Sequence, residues 1–368
     1  MTPLAIQAMG VFASNGGSAP VVMGSVLSTV QVFGDLDLTG PDGEQLGGAV
    51  TPLARSVRGI DRLAAMALSA LTECAGDDPR AVAPLLVLAP ASADLGEDPR
   101  SLIDAFPLLD AALPIDRAAI QVLTGGRGEI ARALLVAGQT LAAGSHDACY
   151  LLAVDSLVVG TRLRRLVDRG AVIYEGNPDG IVPGEAAVAL RLSPADRGPA
   201  LAHLVALGEG DEPAARASDD GETALTGQGY TTAVRAALRA FESRGGGPGR
   251  DGDRDRGGDT AVIRALIVDR AGPQLRLEEL ALARQRRPLS GIANDVVFMP
   301  ALSAGDTGAA AGLLGVATAA FFVDRGVIDG PVACLFTGDD DWRGAAIVVR
   351  PTSKDDRNRN ASEARAHA

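Results

Sequence analysis

Apolar residues in this chain come in two patterns that alternate along most of its length: short unbroken runs, and longer stretches repeating every three or four positions. The first pattern reads as buried strand and the second as helix. Residues 4–12 are thus predicted as a strand. Residues 53–74 form a helix on the spacing of Leu53, Val57, Ile60, Leu63, Leu68 and Leu71, ended by a Gly-Asp-Asp-Pro turn. Strands are expected at 85–89, 118–123 and 148–154, with a helix at 131–143. A strand pair at 170–174 and 186–192 is expected around Asn177-Pro178-Asp179-Gly180. A second half repeats the theme, with strands at 200–207, 260–268, 294–299, 332–336 and 344–349 and helices at 231–242, 277–286 and 312–323. Uniformly apolar strands alternating with helices predict an α/β protein whose sheets are covered on both faces. The divisions expected are 1–195, 196–350 and a disordered tail at 351–368, with a flexible insertion at 244–259 rich in Gly, Arg and Asp.

Composition removes several classes of function. The net charge of −12 opposes the phosphate neutralisation on which nucleic-acid binding rests. Cys74, Cys149 and Cys334 are isolated, so neither a zinc ribbon nor a disulfide framework is expected. The longest apolar run, 311–323, is too short for a bilayer core of ~30 Å. No basic residue precedes Arg55, so a charged signal-peptide start is lacking. The expectation is a cytoplasmic protein with no membrane segment, cofactor or metal. The basic residues are arginines except for Lys354, and the only histidines are His146, His203 and His367.

Four landmarks occur in order. They are Ala142-Ala143-Gly144-Ser145-His146-Asp147-Ala148 with Val154-Asp155-Ser156 beyond it; Asp179-Gly180-Ile181-Val182-Pro183-Gly184-Glu185-Ala186-Ala187; Leu225-Thr226-Gly227-Gln228-Gly229; and Gly305-Asp306-Thr307-Gly308-Ala309-Ala310-Ala311-Gly312. Together with the opening Ala8-Met9-Gly10-Val11-Phe12-Ala13-Ser14-Asn15-Gly16, the chain resembles the β-ketoacyl synthases of the thiolase superfamily. The resemblance implies a five-layer αβαβα fold built from two similar halves, dimerised through the first. It also implies acyl transfer by a Cys at a helix N-terminus, two His and a Lys. Carried across the motifs, the Cys position falls on Arg127, the two His positions on Ala271 and Asp306, and the Lys position on Ala301. None of the four reactive groups is present. Thr124, Arg127, Asp306 and Phe336 are the candidate pocket.

The substitutes are poor chemists. A guanidinium stays protonated and cannot attack a thioester. Asp306 alone offers a base without a nucleophile. Cys149 and Cys334 read as small buried hydrophobes on strands, Cys74 as a residue at a helix C-terminus, and His146 and His203 as structural. Gly125-Gly126-Arg127-Gly128 reads as a tight turn, with an anion cradle as the alternative. Asp339-Asp340-Asp341 reads as a solvated acidic loop, with a metal site as the alternative.

Two functions follow from the resemblance. One is a catalytically degenerate ketosynthase homologue acting as a binding or assembly partner. It would form a homodimer, or a heterodimer with a ketosynthase-like chain, and have an acyl carrier protein or acyl thioester as a further partner. Chain-length factors are one precedent. Ketosynthase-like proteins encoded near type VI secretion genes are the other, resembled in Arg58-Gly59-Ile60-Asp61-Arg62-Leu63, Val154-Asp155-Ser156 and the Gly-Asp-Thr-Gly-Ala-Ala run. The alternative is an acyltransferase or malonyl decarboxylase that works without a Cys nucleophile.

Overall fold

The computed structural model describes residues 1–76, 83–91, 98, 101–104, 115–158, 160–217, 225–244, 263–270, 274–290, 292–293 and 296–351. The expected insertion beyond Arg244, the tail from residue 352, His367 and Ala271 lie outside the described residues.

The strands are β1 (Leu4–Ala13), β2 (Gly34–Thr39), β3 (Gln45–Gly48), β4 (Ala83–Leu88), β5 (Ile115–Leu123), β6 (Cys149–Ser156), β7 (Glu185–Pro194), β8 (Ala202–Asp211), β9 (Ala265–Val268), β10 (Val297–Phe298), β11 (Val332–Thr337) and β12 (Trp342–Val349). The longer helices are α1 (Ala19–Leu27), α2 (Gly59–Ala75), α3 (Ile130–Ala142), α4 (Gly160–Asp168), α5 (Gln228–Glu242), α6 (Gln274–Arg284) and α7 (Ala311–Asp324).

Ten strands lie in the order β10-β9-β11-β12-β8-β1-β7-β6-β4-β5. Read outward from the β1–β8 junction, each half has its first strand, then its fifth, fourth, second and third. The pairing senses repeat as well. β1–β7 and β7–β6 are antiparallel while β6–β4 and β4–β5 are parallel, and β8–β12, β12–β11, β11–β9 and β9–β10 follow the same sequence. The halves meet where β1 pairs with β8 over Leu4 to Ile6.

Hydrophobic burial sorts the helices into layers. α2 covers the outer face of the first half through Leu63, Met66, Ala70 and Leu71. α5 and α6 cover the second half through Val234, Leu238 and Leu280. Between the two halves of this ten-stranded sheet lie α3 and α7, which share one core with inward residues of both halves. α7 is buried on nearly every side, which explains why its sequence is apolar all round. The order α, β, α, β, α is the five-layer arrangement expected from the sequence.

Several expected elements need correction. α2 begins at Gly59 rather than Leu53, because Gly59 has φ 55°, a conformation through which a right-handed helix cannot run. Residues 170–174 form no strand. They make isolated bridges, Val172 to Ile181 and Tyr174 to Asn177. The Asn177 side-chain amide donates to the carbonyls of Gly170 (2.6 Å) and Val172 (3.0 Å), groups that a partner strand would otherwise use. Of the strand expected at 294–299, residues 294–295 lie outside the described residues and, among those described, Val297–Phe298 form strand. The sequence reading missed α1, α4 and the β2–β3 hairpin.

Candidate functional site

Two turns, one from each half, build the site. Leaving β5, the chain passes half-buried Thr124 and Gly125 into a 3-10 turn, Gly126–Glu129, that leads into α3. Gly126 sits at φ 70°, the left-handed region that glycine enters at no steric cost, and Arg127 follows it into the interior. In the second half, a short helix at Ala301–Ala304 ends in Gly305 (φ 68°), which delivers Asp306. Asp306 is fixed to the second landmark by its backbone. Its N–H donates to Val182 O at 2.7 Å, and its carbonyl accepts from Gly184 N–H at 2.8 Å.

The two turns join through a buried ion pair. Arg127 Nη2 donates to Asp306 Oδ1, and the side chains are 5% and 1% exposed. Asp306 Oδ1 also accepts the Gly308 N–H at 2.9 Å. Arg270 and Asp339 extend the pair into an alternating quartet. Arg270 Nε lies 3.7 Å from Asp306 Oδ2, and Asp339 Oδ1 lies 3.8 Å from both Arg127 Nε and Arg270 Nη1. Next to it, buried Asp269 accepts the Thr337 N–H (3.0 Å) and hydroxyl (2.8 Å).

Electrostatics fix the protonation of this cluster. Burial by itself would raise the Asp306 pKa, but the Arg127 and Arg270 guanidiniums hold the carboxyl below its ordinary range. Burial would likewise lower Arg127, and Asp306, Asp339 and Asp269 together hold it above its usual value. Arg127 is therefore charged and carries no lone pair for attack. Burial dominates at Asp269 and pushes it up despite Arg127 and Thr337.

A second carboxylate ties the halves together. Asp155, at the end of β6, pairs with Arg162 and accepts the Ala309 N–H at 2.7 Å through Oδ2. A further buried pair, Arg62 with Glu185 at 2.6 Å, links α2 to β7, with the Thr51 and Ser156 hydroxyls on the same carboxylate.

A cavity of about 570 Å³ opens beside the quartet. Its lining includes Phe33, Ile173, Leu277, Leu302, Ala301 and Asp306. The structure therefore brings Arg127 to Asp306 and sets Ala301 beside Asp306. Phe336 is buried in the core between the sheets, where it packs with α7, and Thr124, Arg127 and Phe336 are not part of the cavity wall. Sequence reading missed Arg270, although it follows Asp269 directly in the strand-end motif, and read Asp339 as part of a solvated acidic loop with a metal site as the alternative. Asp339 is in fact 76% exposed, with its oxygen turned toward the two guanidiniums.

No thiol enters the site. All three cysteines are buried, Cys149 with its thiol pushed up to about 12 by burial and Cys74 and Cys334 raised further by the same cause. His146 is half-buried in a turn, with Nδ1 3.0 Å from Ser145 Oγ, and His203 is on β8. Among the described residues no group of three His, Cys, Asp or Glu side chains is placed to hold a metal ion, and no helix is long and apolar enough to cross a membrane.

No protein-family model matches the sequence, and no curated protein matches it. Solved structures do match the fold. The ishigamide ketosynthase/chain length factor superposes with a TM-score of 0.66 at 16% identity, over 96% of this chain and 100% of that one. A type II polyketide synthase ketosynthase in complex with its acyl-carrier protein gives 0.68 at 12% identity, over 95% and 99%. A ketosynthase in complex with its chain length factor from Xenorhabdus doucetiae gives 0.65 at 12% identity, over 95% and 98%. The fold is thiolase-like, of the ketosynthase type.

Proposed function

We propose that this chain is a catalytically degenerate ketosynthase homologue that acts as a non-catalytic partner of a ketosynthase-like chain. The observation that carries the reading is the buried Arg127–Asp306 pair at the start of α3. Where the motif resemblance places a nucleophile and a histidine, the chain has two charges that neutralise each other. A general base works best with a pKa near the working pH, and Asp306 is held well below it. Two of the matched structures are themselves ketosynthase–chain length factor assemblies. The motif likeness to ketosynthase-like proteins encoded near type VI secretion genes extends the proposal to an assembly role in that setting.

β5 supplies a surface for pairing. It is a nine-residue edge strand whose only sheet neighbour among the described residues is β4, and an edge of this kind accepts a further strand. Sedimentation of the purified chain, alone and with a ketosynthase-like chain from the same genome, tests the proposal. A two-chain assembly is expected in at least one case. Ala118→Glu with Gln121→Glu, at exposed β5 positions, should weaken it. A monomer in both samples, or an assembly indifferent to the β5 charges, contradicts the reading.

A further inference from the structure

We infer that the mouth of the 570 Å³ cavity and the apolar segment beside it are a docking surface for a basic amphipathic helix of another protein. Ten large apolar side chains are exposed among the described residues, and four of them, Phe33, Ile173, Leu277 and Leu302, line this one cavity. Val30 and Val32, 47% and 45% exposed, continue the apolar surface along the segment that ends at Phe33. That segment is fastened beside Leu302. The Ser25 carbonyl accepts both the Val30 N–H (2.9 Å) and the hydroxyl of Ser303 (3.2 Å), in the short helix that carries Leu302. The turn runs through Thr29 at φ 51°, the left-handed region that a β-branched residue rarely enters. Apolar side chains held at a concave mouth are what the apolar face of an amphipathic helix covers.

Charge selects what covers this surface. No Arg, Lys or His lines the cavity. Two residues along the chain from Ile173, exposed Glu175 meets the turn of the β2–β3 hairpin, where Gly40 approaches the Tyr174 ring and Glu44 faces Glu175. A hydrogen bond to Glu175 and the repulsion of its charge raise the Glu44 carboxyl, and Asp42 adds to the repulsion. None of these three carboxylates has an ion-pair partner among the described residues. A second copy of this chain would bring the same acidic flank, and an anionic membrane surface a like charge, so both are repelled. A helix with Lys or Arg beside its apolar stripe covers the mouth and relieves the repulsion at its flank.

Fluorescence anisotropy of a labelled amphipathic Leu/Lys peptide with the full chain tests the inference, against the same peptide with Glu in place of Lys. The Leu/Lys peptide should bind at least about tenfold more tightly. Three double variants, all at exposed positions, locate that binding. Phe33→Ser with Leu302→Ser should weaken it about fivefold or more. Glu44→Lys with Glu175→Lys should weaken it about tenfold. Asp196→Lys with Asp329→Lys is the control. It makes the same change in net charge at the far end of the sheet, beyond the end of β7 and before the start of β11, and should alter binding less than about twofold. Equal binding of the two peptides, binding of neither, indifference to the apolar variant, or a loss in the control as large as at Glu44 and Glu175 overturns the inference. Should the apolar variant not fold, the charge variants decide. The inference stands apart from the pairing proposal, because the peptide reads the mouth of the cavity and the β5 charges read the assembly.

Discussion

At the scale of residues, the site is governed by what a buried ion pair tolerates. Removing one partner leaves an uncompensated charge in the interior, whereas removing both leaves an apolar gap. Arg127→Met is therefore expected to destabilise the fold by about 3–5 kcal/mol, and Arg127→Met/Asp306→Leu to restore most of that loss. Urea titrations of the single and double variants check it, and additive losses would contradict a direct pair. The same pair sets an acid limit. Asp306 is held below its unfolded pKa, so its contribution is fully present above that unfolded value and is lost as the pH falls through the folded one. Melting temperature should hold through neutral pH and drop below about pH 4, the unfolded Asp value. Asp269 acts in the opposite sense over a different window: its raised carboxyl adds stability as the pH falls from its folded pKa toward about 4, before the Asp306 loss begins. In Asp306→Asn the acid slope should be shallower, and an unchanged slope would remove Asp306 from the account.

At the scale of elements, the turns of the two halves approach one another closely. Gly308 sits at φ 57°, and a Cβ there would lie 2.1 Å from Asp155 Oδ2. Gly308→Ala should thus cost more than the roughly 1–2 kcal/mol of a left-handed alanine, with the Asp155–Ala309 link between the halves strained as well. Chemical denaturation measures it, and a loss under about 1 kcal/mol would mean that the turn relaxes freely. Elements of this kind mark the limit of what a sequence pattern reveals. Buried strands such as β6 and β11 were legible because residues 149–154 and 332–336 are unbroken apolar runs and every residue of both strands is buried. α1 was not, because its apolar residues sit on all sides of a nine-residue segment in which Val21 and Leu27 remain exposed. α4 is too polar to stand out, with Leu163 its buried contact. The 170–174 segment is apolar enough for a strand, but a side-chain amide that no periodicity rule weighs had already taken its carbonyls. At the site, motif order pointed to Arg127 and Asp306 as separate substitutions. Their meeting in one ion pair depends on the packing of the two halves, which one-dimensional spacing does not encode.

At the scale of the whole molecule, two halves of identical strand order enclose a shared core, and Arg127 and Asp306, two of the positions that the motif resemblance assigns to catalysis, meet where the halves touch. The thiols are buried on strands and a helix, and the junction itself is a network of guanidiniums and carboxylates. The central claim is that this network ties the two halves of the chain together and performs no acyl chemistry. Incubating the purified chain with radiolabelled acyl and malonyl thioesters, on CoA and on acyl carrier protein, tests it most directly. The account predicts neither a covalent acyl adduct nor released CO2 above a heat-denatured control; either product would contradict it.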